Sequence, residues 1–503
     1  MKHKATILKI TALLLCLSVA LGCTAFAASA AEDNGAAQST WALSVPQIRV
    51  TTAQGNGTTL QKEDGYQEAS ITITGADGSV LADSCSFKVR GNTTALSWIE
   101  KKAFTFKFAK KKDVLGMGKG KKWALVANAF DPTLLRNMTA FEIARELEIP
   151  YTSEYRVVEL WVDDSFRGCY LLFEPVQEGK DRVDINIENG KDFLVEYEAA
   201  REEEDVTYFT VDKLRFIASE PEEPDEEELS YIQRTMQRVI GTMKNGSREE
   251  IEAVVDVDSF TKFYLLNEYM KTYDFDMSSV FFYYKDGKLC AGPPWDYDLS
   301  AGNAAPDTYY RAKATLSPEG TFADSRNIYG ALCQNAWFME RVRAVYREHY
   351  AFMAQIAADG GLLDTLRAQY TDEINRNYGE AGWNANKWWI TIQRKPDATY
   401  ETNFTYLKDW CAARQTWMEK HYRPNAPAYR YGDADDDGVI NVNDVTAIQR
   451  MLAEYEDMDD SVRTRTNFSE GRYSVNNATA LQAHLAEMKA IPYLGETRFY
   501  ETL

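Results

Sequence analysis

The first half of the chain alternates hydrophobic and polar positions in short runs. Such alternation, together with runs of β-branched and aromatic residues, is typical of strands with one buried face. It predicts strands at residues 71–74, 86–89, 104–108 and 157–162. One helix interrupts this series, because residues 134–147 carry apolar side chains at helical spacing behind the candidate caps Asp131 and Thr133.

Helical spacing dominates from residue 229 to residue 421, with one hairpin inside it. The hairpin is predicted at residues 280–284 and 289–291, which are joined at the turn pair Asp286-Gly287. Residues 220–228 hold seven acidic residues in nine, which predicts an exposed loop or the solvated start of a helix. The overall pattern is that of an α+β protein.

Composition and charge narrow the possible classes of function. The chain has 503 residues with 45% hydrophobic and 13% aromatic content, enough for a large core and two or more domains. The net charge of −20 argues against general binding to nucleic acid or anionic membranes. The cysteines beyond residue 31 show no CxxC or Cys/His cluster, which predicts buried thiols and no zinc site. They are Cys85, Cys169, Cys290, Cys333 and Cys411.

Residues 1–31 have the features of a signal peptide. A basic start precedes an apolar run at residues 10–21 and small residues at 25–31. Leu21-Gly22-Cys23 offers a lipoprotein cleavage site as the alternative. We therefore expect a secreted, extracellular protein, which a scaffold or a lipid anchor could attach to the cell surface.

The strongest motif is an acidic twelve-residue loop at residues 433–444. In an EF-hand loop, oxygens at positions 1, 3, 5, 7, 9 and 12 converge on Ca²⁺, and a glycine at position 6 makes the turn. Gly438 stands at position 6. The predicted Ca²⁺ ligands are Asp433, Asp435, Asp437, the carbonyl of Val439, Asn441 and Asp444.

This loop and the helix after it are repeated once. Residues 441–454 and 474–487 share eight of fourteen positions at an offset of 33. A duplicated loop and helix resembles the dockerin family. The resemblance implies a small all-α, EF-hand-like module over residues 429–490 that binds a cohesin domain of a cellulosome-type scaffold protein. The second copy departs from the ligand pattern, which predicts weak Ca²⁺ binding there. Its residues at the ligand positions include Thr466, Phe468, Glu470, Ser474 and Asn477.

Residues 45–425 contain three features that can carry chemistry. Residues 101–122 hold nine lysines, and a lysine fixed on a strand can bind nucleotide phosphates, although a solvated basic face is the alternative. Asp296 and Asp298 are spaced to hold Mg²⁺. Asp274 and Asp276 precede the hairpin, where a carboxylate can orient an attacking hydroxyl or simply cap a turn.

Several short segments in this region together resemble the spore-coat H (CotH) kinase-like family. They are residues 87–93, 101–108, 122–125, 134–137, 166–174 and 295–298. The resemblance implies a two-lobed, atypical protein-kinase-like fold and ATP-dependent phosphorylation of secreted or coat proteins. It implies Asp274 as the catalytic aspartate, with Asp276 as the fallback. It also implies that Asp296 or Asp298 binds the Mg²⁺ that accompanies ATP.

The same resemblance implies a set of contacts to the nucleotide. Arg90 and Arg136 would contact phosphates or form internal ion pairs instead. The other implied contacts come from Lys101, Lys102, Lys107 and Glu174.

One departure from the family leaves other functions open. Family members often carry an Asn just before the strand at residue 280, where this chain has Ser278 and Ser279. Because serine is a poorer Mg²⁺ ligand, a non-catalytic adhesion or assembly component is the alternative. A polysaccharide-degrading enzyme ranks third. It would need paired carboxylates beside a sugar cleft. Exposed tryptophans could line such a cleft, and the candidates are Trp388, Trp389 and Trp410.

Overall fold

The computed structural model describes residues 44–199, 206–304, 310–383, 398–423, 428–453, 460–468, 473–491, 494–495 and 497–499. The strands are β1 Gln47–Thr52, β2 Gln67–Thr74, β3 Val80–Arg90, β4 Ala103–Asp113, β5 Lys119–Val126, β6 Tyr155–Val162, β7 Ser165–Phe173, β8 Phe193–Tyr197, β9 Tyr208–Val211, β10 Leu214–Glu220, β11 Val280–Lys285, β12 Lys288–Ala291, β13 Ala428–Arg430 and β14 Thr497–Phe499. The α-helices are α1 Arg136–Glu146, α2 Glu226–Asn245, α3 Arg248–Val254, α4 Val257–Met270, α5 Tyr310–Leu316, α6 Tyr329–Leu332, α7 Ala336–Glu348, α8 Tyr350–Met353, α9 Leu362–Gln369, α10 Thr371–Tyr378, α11 Tyr400–Tyr422, α12 Val442–Leu452, α13 Asp460–Thr466 and α14 Val475–Leu485.

The first seven strands close into a barrel in the order β1-β2-β3-β4-β5-β7-β6. Its closing pair, β1 and β6, is parallel. In β3, the inward Phe87 and Val89 are at most 1% exposed. Because side chains on a strand alternate between faces, Lys88 and Arg90 lie on the outside of the barrel. The period-two pattern of the sequence therefore fills the barrel with apolar side chains and leaves a polar outer face.

A second layer is formed by a five-stranded sheet in the order β12-β11-β8-β10-β9. All of its neighbouring strands are antiparallel. Helices α1, α2, α4, α7 and α11 contribute buried residues to the same large apolar core as this sheet. At its centre, α4 is buried along nearly its whole length. The sheet is thus fixed behind the barrel by helices from distant parts of the chain.

The C-terminal segment has a small core of its own. Val445 and Ile448 of α12 and Leu481 of α14 belong to one buried cluster. Matching capping boxes, with N-caps at Asn441 and Ser474, begin the two helices. Both features agree with the internal repeat. Leu485, at the end of α14, lies outside this core and is 38% exposed.

The local predictions hold where the structure describes them. Every predicted strand lies inside an observed one, and the hairpin forms as β11 and β12. The predicted helix is α1, and Asp131 Oδ2 accepts a hydrogen bond from its first backbone N–H, that of Arg136, at 2.8 Å. The acidic stretch begins α2 behind the N-cap Asp225. Closure of the barrel was not predicted.

Two further findings concern the cysteines and the hydropathy of the helices. The five cysteines in the described part of the chain are unpaired, and four of them are buried. None of the described helices combines the length and hydropathy needed to cross a bilayer. The predicted leader at residues 1–31, together with Trp388, Trp389 and Glu470, lies outside the described residues.

Candidate functional site

A cleft of about 680 Å³ lies between the outer face of the barrel and the five-stranded sheet. This volume is within the range of small-molecule binding sites. The barrel contributes basic and hydroxyl groups to its lining, namely Lys88, Arg90, Thr105 and Lys122. The sheet contributes Glu196, Ile217 and Phe281, which its register places side by side. The cleft thus joins positive charge from one layer to negative charge from the other.

At one end the cleft meets a smaller pocket of about 90 Å³. Arg90, Trp295 and Asp296 line both spaces. Asp274 and Asp298 line the smaller pocket, so the structure brings together three of the predicted aspartates. Neutral hydrogen-bonding side chains complete its polar lining, namely Asn92, Thr93, Thr94, Asn128 and Asn137.

Local structure explains how these aspartates are positioned. Asp274 lies in a 3₁₀ turn, Tyr273–Asp276, directly after α4. Asp296 has a φ of 61°, a left-handed conformation that is rare outside glycine and often occurs at functional sites. Next to it, the backbone N–H of Tyr297 donates to Asn137 Oδ1 at 2.8 Å, and Asn137 Nδ2 donates to Asn128 Oδ1 at 2.8 Å. These two asparagines fix the Asp296–Asp298 segment against α1.

The electrostatics of the pocket favour a cation. Burial raises the pKa of Asp298 well above its usual range, and the nearby charges of Asp296, Asp274 and Asp131 raise it further. Burial lowers the pKa of Arg90, while Asp296 and Glu196 act in the opposite direction. The Arg90 guanidinium lies over the Trp295 ring, 5.0 Å from its centroid. Crowded carboxylate oxygens of this kind are the ligands that Mg²⁺ prefers, so the residues present fit that ion.

Three predicted phosphate contacts are instead engaged elsewhere. Lys101 Nζ donates to the Cys169 carbonyl at 2.8 Å and to Asn377 Oδ1 at 2.9 Å, and the side chain is buried. Lys102 Nζ donates to the carbonyls of residues 95 and 96. Arg136 pairs with Asp131 at 2.6 Å, which is the internal ion pair given as its alternative. None of these three side chains lines either space.

The remaining predicted residues divide between the cleft and its surroundings. Glu174 is buried and forms an ion pair with Arg182, and it lies outside the lining. Lys107 is exposed on the outer face of the barrel, opposite Lys122 in the register, and is also outside the lining. Asp276, the fallback catalytic residue, does not line the pocket that contains Asp274. The geometry therefore favours Asp274 over Asp276.

Sequence reasoning did not single out several residues that line the cleft. Lys88 is one, and the alternation of Phe87 and Val89 around it could have placed it on the face that carries Arg90. Glu196 had no comparable signal, because its role depends on the pairing of β8 with β10 and β11. Asn128 and Asn137 lie nine residues apart and are joined by a side-chain hydrogen bond that no local pattern indicated.

The C-terminal acidic loop forms a second cluster of oxygen ligands. Asp433, Asp435 and Asp437 each have a carboxylate oxygen within 4.8 Å of the others. Asp444, at position 12, reaches back and accepts a hydrogen bond from the Ala434 backbone at 2.6 Å. Desolvation and the adjacent negative charges raise the pKa of Asp435. This arrangement fits a hard cation such as Ca²⁺.

In the described parts of the second loop, residues 466–468 and 473–477, side chains from the two ends contact one another. Asn477 Nδ2 donates to the Thr466 carbonyl at 3.0 Å, and the Thr466 hydroxyl lies 2.5 Å from the Tyr473 hydroxyl. The Asn477 side-chain amide therefore donates a hydrogen bond at loop position 12, where the carboxylate of Asp444 only accepts hydrogen bonds. Arg465, just before this loop, pairs with Asp436 of the first loop at 3.1 Å. The two halves are thus joined without matching ligand sets.

The fold combines helices with a closed barrel and an antiparallel sheet, and the cleft between barrel and sheet is lined by both basic and acidic side chains. A model of the family described as CotH kinase protein matches residues 87–418, roughly two thirds of the chain. The chain belongs to this family. No curated protein matches it.

Proposed function

We propose that the chain is a CotH-type protein kinase that transfers a phosphoryl group from ATP to a hydroxyl group of a protein. The observation that carries this proposal is that the pocket lined by Asp274, Asp296 and Asp298 shares Arg90 and Asp296 with the cleft lined by Lys88. Phosphoryl transfer needs little covalent chemistry from the enzyme. It needs metal-binding carboxylates, cations for the phosphates and a base for the acceptor hydroxyl.

Each of these roles has a candidate residue in the cleft or in the smaller pocket beside it. Asp296 and Asp298 would hold Mg²⁺, which neutralises charge on the nucleotide phosphates when it is bound. Lys88, Arg90 and Lys122 line the cleft from the barrel side and would bind phosphate oxygens. Asp274 would accept the proton of the acceptor hydroxyl.

The direct test is transfer of labelled phosphate from ATP to the protein itself and to serine-, threonine- and tyrosine-containing peptides. We expect incorporation that requires Mg²⁺ and disappears in Asp296→Ala. Two results would count against the proposal. One is phosphate incorporation that is the same in Asp296→Ala as in the wild type, and the other is no incorporation into any acceptor by the wild type.

One observation favours a non-catalytic assembly role as the second candidate. The segment after Asp274 carries Ser278 and Ser279, and neither side chain offers the amide oxygen that a magnesium-binding Asn supplies. The third candidate, a polysaccharide-degrading enzyme, loses one supporting feature. Trp410 is 3% exposed, and its indole N–H donates to the Leu316 carbonyl at 2.9 Å. Trp410 is therefore not a platform for a sugar ring.

For the C-terminal segment, we infer a calcium-binding, dockerin-type attachment module on a secreted protein. The clustered aspartates of the first loop and the repeated capping boxes support this inference. Val442 and Val475, at matching helix starts, are 66% and 60% exposed and offer apolar contacts to a cohesin partner. Binding to immobilised cohesin domains should require Ca²⁺ and should be abolished by a chelator. Binding that ignores the chelator would contradict the proposed attachment.

A further inference from the structure

Glu196 is a carboxylate at the centre of the five-stranded sheet. Its strand, β8, lies between β11 and β10, and Glu196 is paired with Phe281 on one side and Ile217 on the other. All three side chains line the large cleft. Desolvating a carboxylate between two apolar neighbours is costly unless a charge or a hydrogen bond compensates it. Its position therefore calls for a partner inside the cleft.

One partner is the turn that follows Asp274. Glu196 Oε1 accepts a hydrogen bond from the Ser279 backbone N–H at 3.0 Å. Ser279 has a φ of 61°, a conformation that costs free energy for a non-glycine residue and needs support from its surroundings. Ser279 also lines a small pocket together with Asp274 and Asp296. Glu196 is thus bonded directly to the turn that borders both aspartates.

Arg90 is a positively charged neighbour in the same cleft. Glu196, Arg90 and Asp296 all line this cleft, although they are carried by different parts of the chain. The negative charges of Asp296 and Glu196 both act to raise the pKa of Arg90 against the effect of burial. Glu196 and Asp296 thus act electrostatically on the same guanidinium.

We propose that Glu196 is a further carboxylate of the metal site, and that together with Asp296 it sets the affinity for the divalent cation that accompanies the nucleotide. This inference rests on the proposed kinase function. Mg²⁺ in such sites is held by one or two protein carboxylates together with phosphate oxygens and water. Asp296 and Glu196, which line the same cleft, would be two such carboxylates, and Glu196 compensates for the serines in the Asp274 turn, which carry no carboxylate or amide group.

The variant Glu196→Gln separates charge from structure. A glutamine keeps an oxygen that accepts the Ser279 N–H but removes the negative charge. The matched control is Glu222→Gln, because Glu222 lines the same cleft at its exposed rim and loses the same charge. Both changes are made in the full chain.

The measurement is ATP binding by calorimetry over a series of Mg²⁺ concentrations, with the melting temperature of each variant recorded beside it. We expect Glu196→Gln to raise the Mg²⁺ concentration for half-maximal ATP binding by about tenfold or more. We expect Glu222→Gln to leave it unchanged and both melting temperatures to stay close to that of the wild type.

Three outcomes would overturn the inference, and one also tests the function beneath it. An unchanged Mg²⁺ requirement in Glu196→Gln, with normal ATP binding by the wild type, removes Glu196 from the metal site and leaves the kinase proposal standing. A lowered melting temperature with an unchanged Mg²⁺ requirement gives Glu196 a purely structural role. Absence of ATP binding by the wild type itself removes both proposals.

Discussion

Arg414 of α11 and Glu268 of α4 form an ion pair of 2.8 Å in which neither side chain is exposed to solvent. Arg414 Nη1 also donates to the carbonyls of Pro318 and Gly320, at 2.9 and 2.8 Å. Glu268 Oε2 accepts hydrogen bonds from the backbone N–H groups of residues 322 and 323. One buried pair thus connects two long helices to the loop at residues 317–323.

Removing one partner of this pair should destabilise the domain strongly. Arg414→Met leaves the Glu268 carboxylate and several carbonyls buried without their partner, and we expect a loss of about 3–5 kcal/mol in the free energy of unfolding. Urea unfolding measures this loss. The control is Arg423→Met at the C-cap of the same helix. The pair of Arg423 with Glu419 is nearly half exposed, so this change should cost less than about 1 kcal/mol. Equal losses in the two variants would contradict the structural assignment.

Lys101 should make stability depend on pH. Burial lowers its pKa to about 7 in the folded protein, against 10.5 for the free side chain. Between these values the unfolded chain binds more protons than the folded one, so stability rises with pH. As pH rises, the free energy of unfolding of the wild type should therefore increase relative to that of Lys101→Met, by up to about 1.4 kcal/mol per pH unit. Urea unfolding at pH 7, 8 and 9 tests this, with the exposed Lys107→Met as control. Parallel pH profiles for wild type and Lys101→Met would refute it.

Asp274 and Asp276 should differ in their effect on catalysis. Asp274 lines the pocket with Asp296, and Asp276 does not. Asp274→Asn should therefore lower phosphoryl transfer by about 100-fold or more while ATP binding persists. Asp276→Asn should leave transfer within about threefold of wild type, since its carboxylate is outside the pocket that acid–base chemistry would use. Labelled-phosphate transfer and calorimetry on the same samples provide both readouts. A larger effect from Asp276→Asn would reassign the base.

The acidic loop should bind Ca²⁺ through specific carboxylates rather than through its total charge. Asp435→Asn removes a ligand of the clustered set and should weaken Ca²⁺ binding by about tenfold or more. The control is Asp436→Asn, the adjacent residue, whose carboxylate faces Arg465 at 3.1 Å. It should have a much smaller effect in a calcium titration. Similar weakening by both changes would indicate a diffuse acidic patch.

The sequence predicted the local elements more completely than the site. The alternation of apolar and polar residues is local to each strand. The two faces of β3, around Phe87, and of β4, around Phe104, could therefore be assigned from the sequence. Closure of the barrel depends on the parallel pairing of Gln47 with Glu159, more than 100 residues apart, and no local pattern encodes it. The site divides in the same way. Asp274, Asp296 and Asp298 were proposed from short motifs next to the predicted hairpin, and the structure brings the three together around one pocket.

The lysines show why the rest of the site was not predictable. Lys101 and Lys88 are equally basic in the sequence. Lys101 is buried because Asn377, 276 residues away, packs against it through α10. Lys88 faces the cleft because the five-stranded sheet lies across from β3. Which lysine reaches the cleft is therefore decided by tertiary packing and not by composition.

The central claim is that the cleft binds ATP with Mg²⁺, and calorimetric titration of the full chain with Mg²⁺ and ATP tests it most directly. The account predicts saturable binding to one site that is lost in Asp296→Ala. Absence of binding by the wild type, or equal binding by Asp296→Ala, would contradict it.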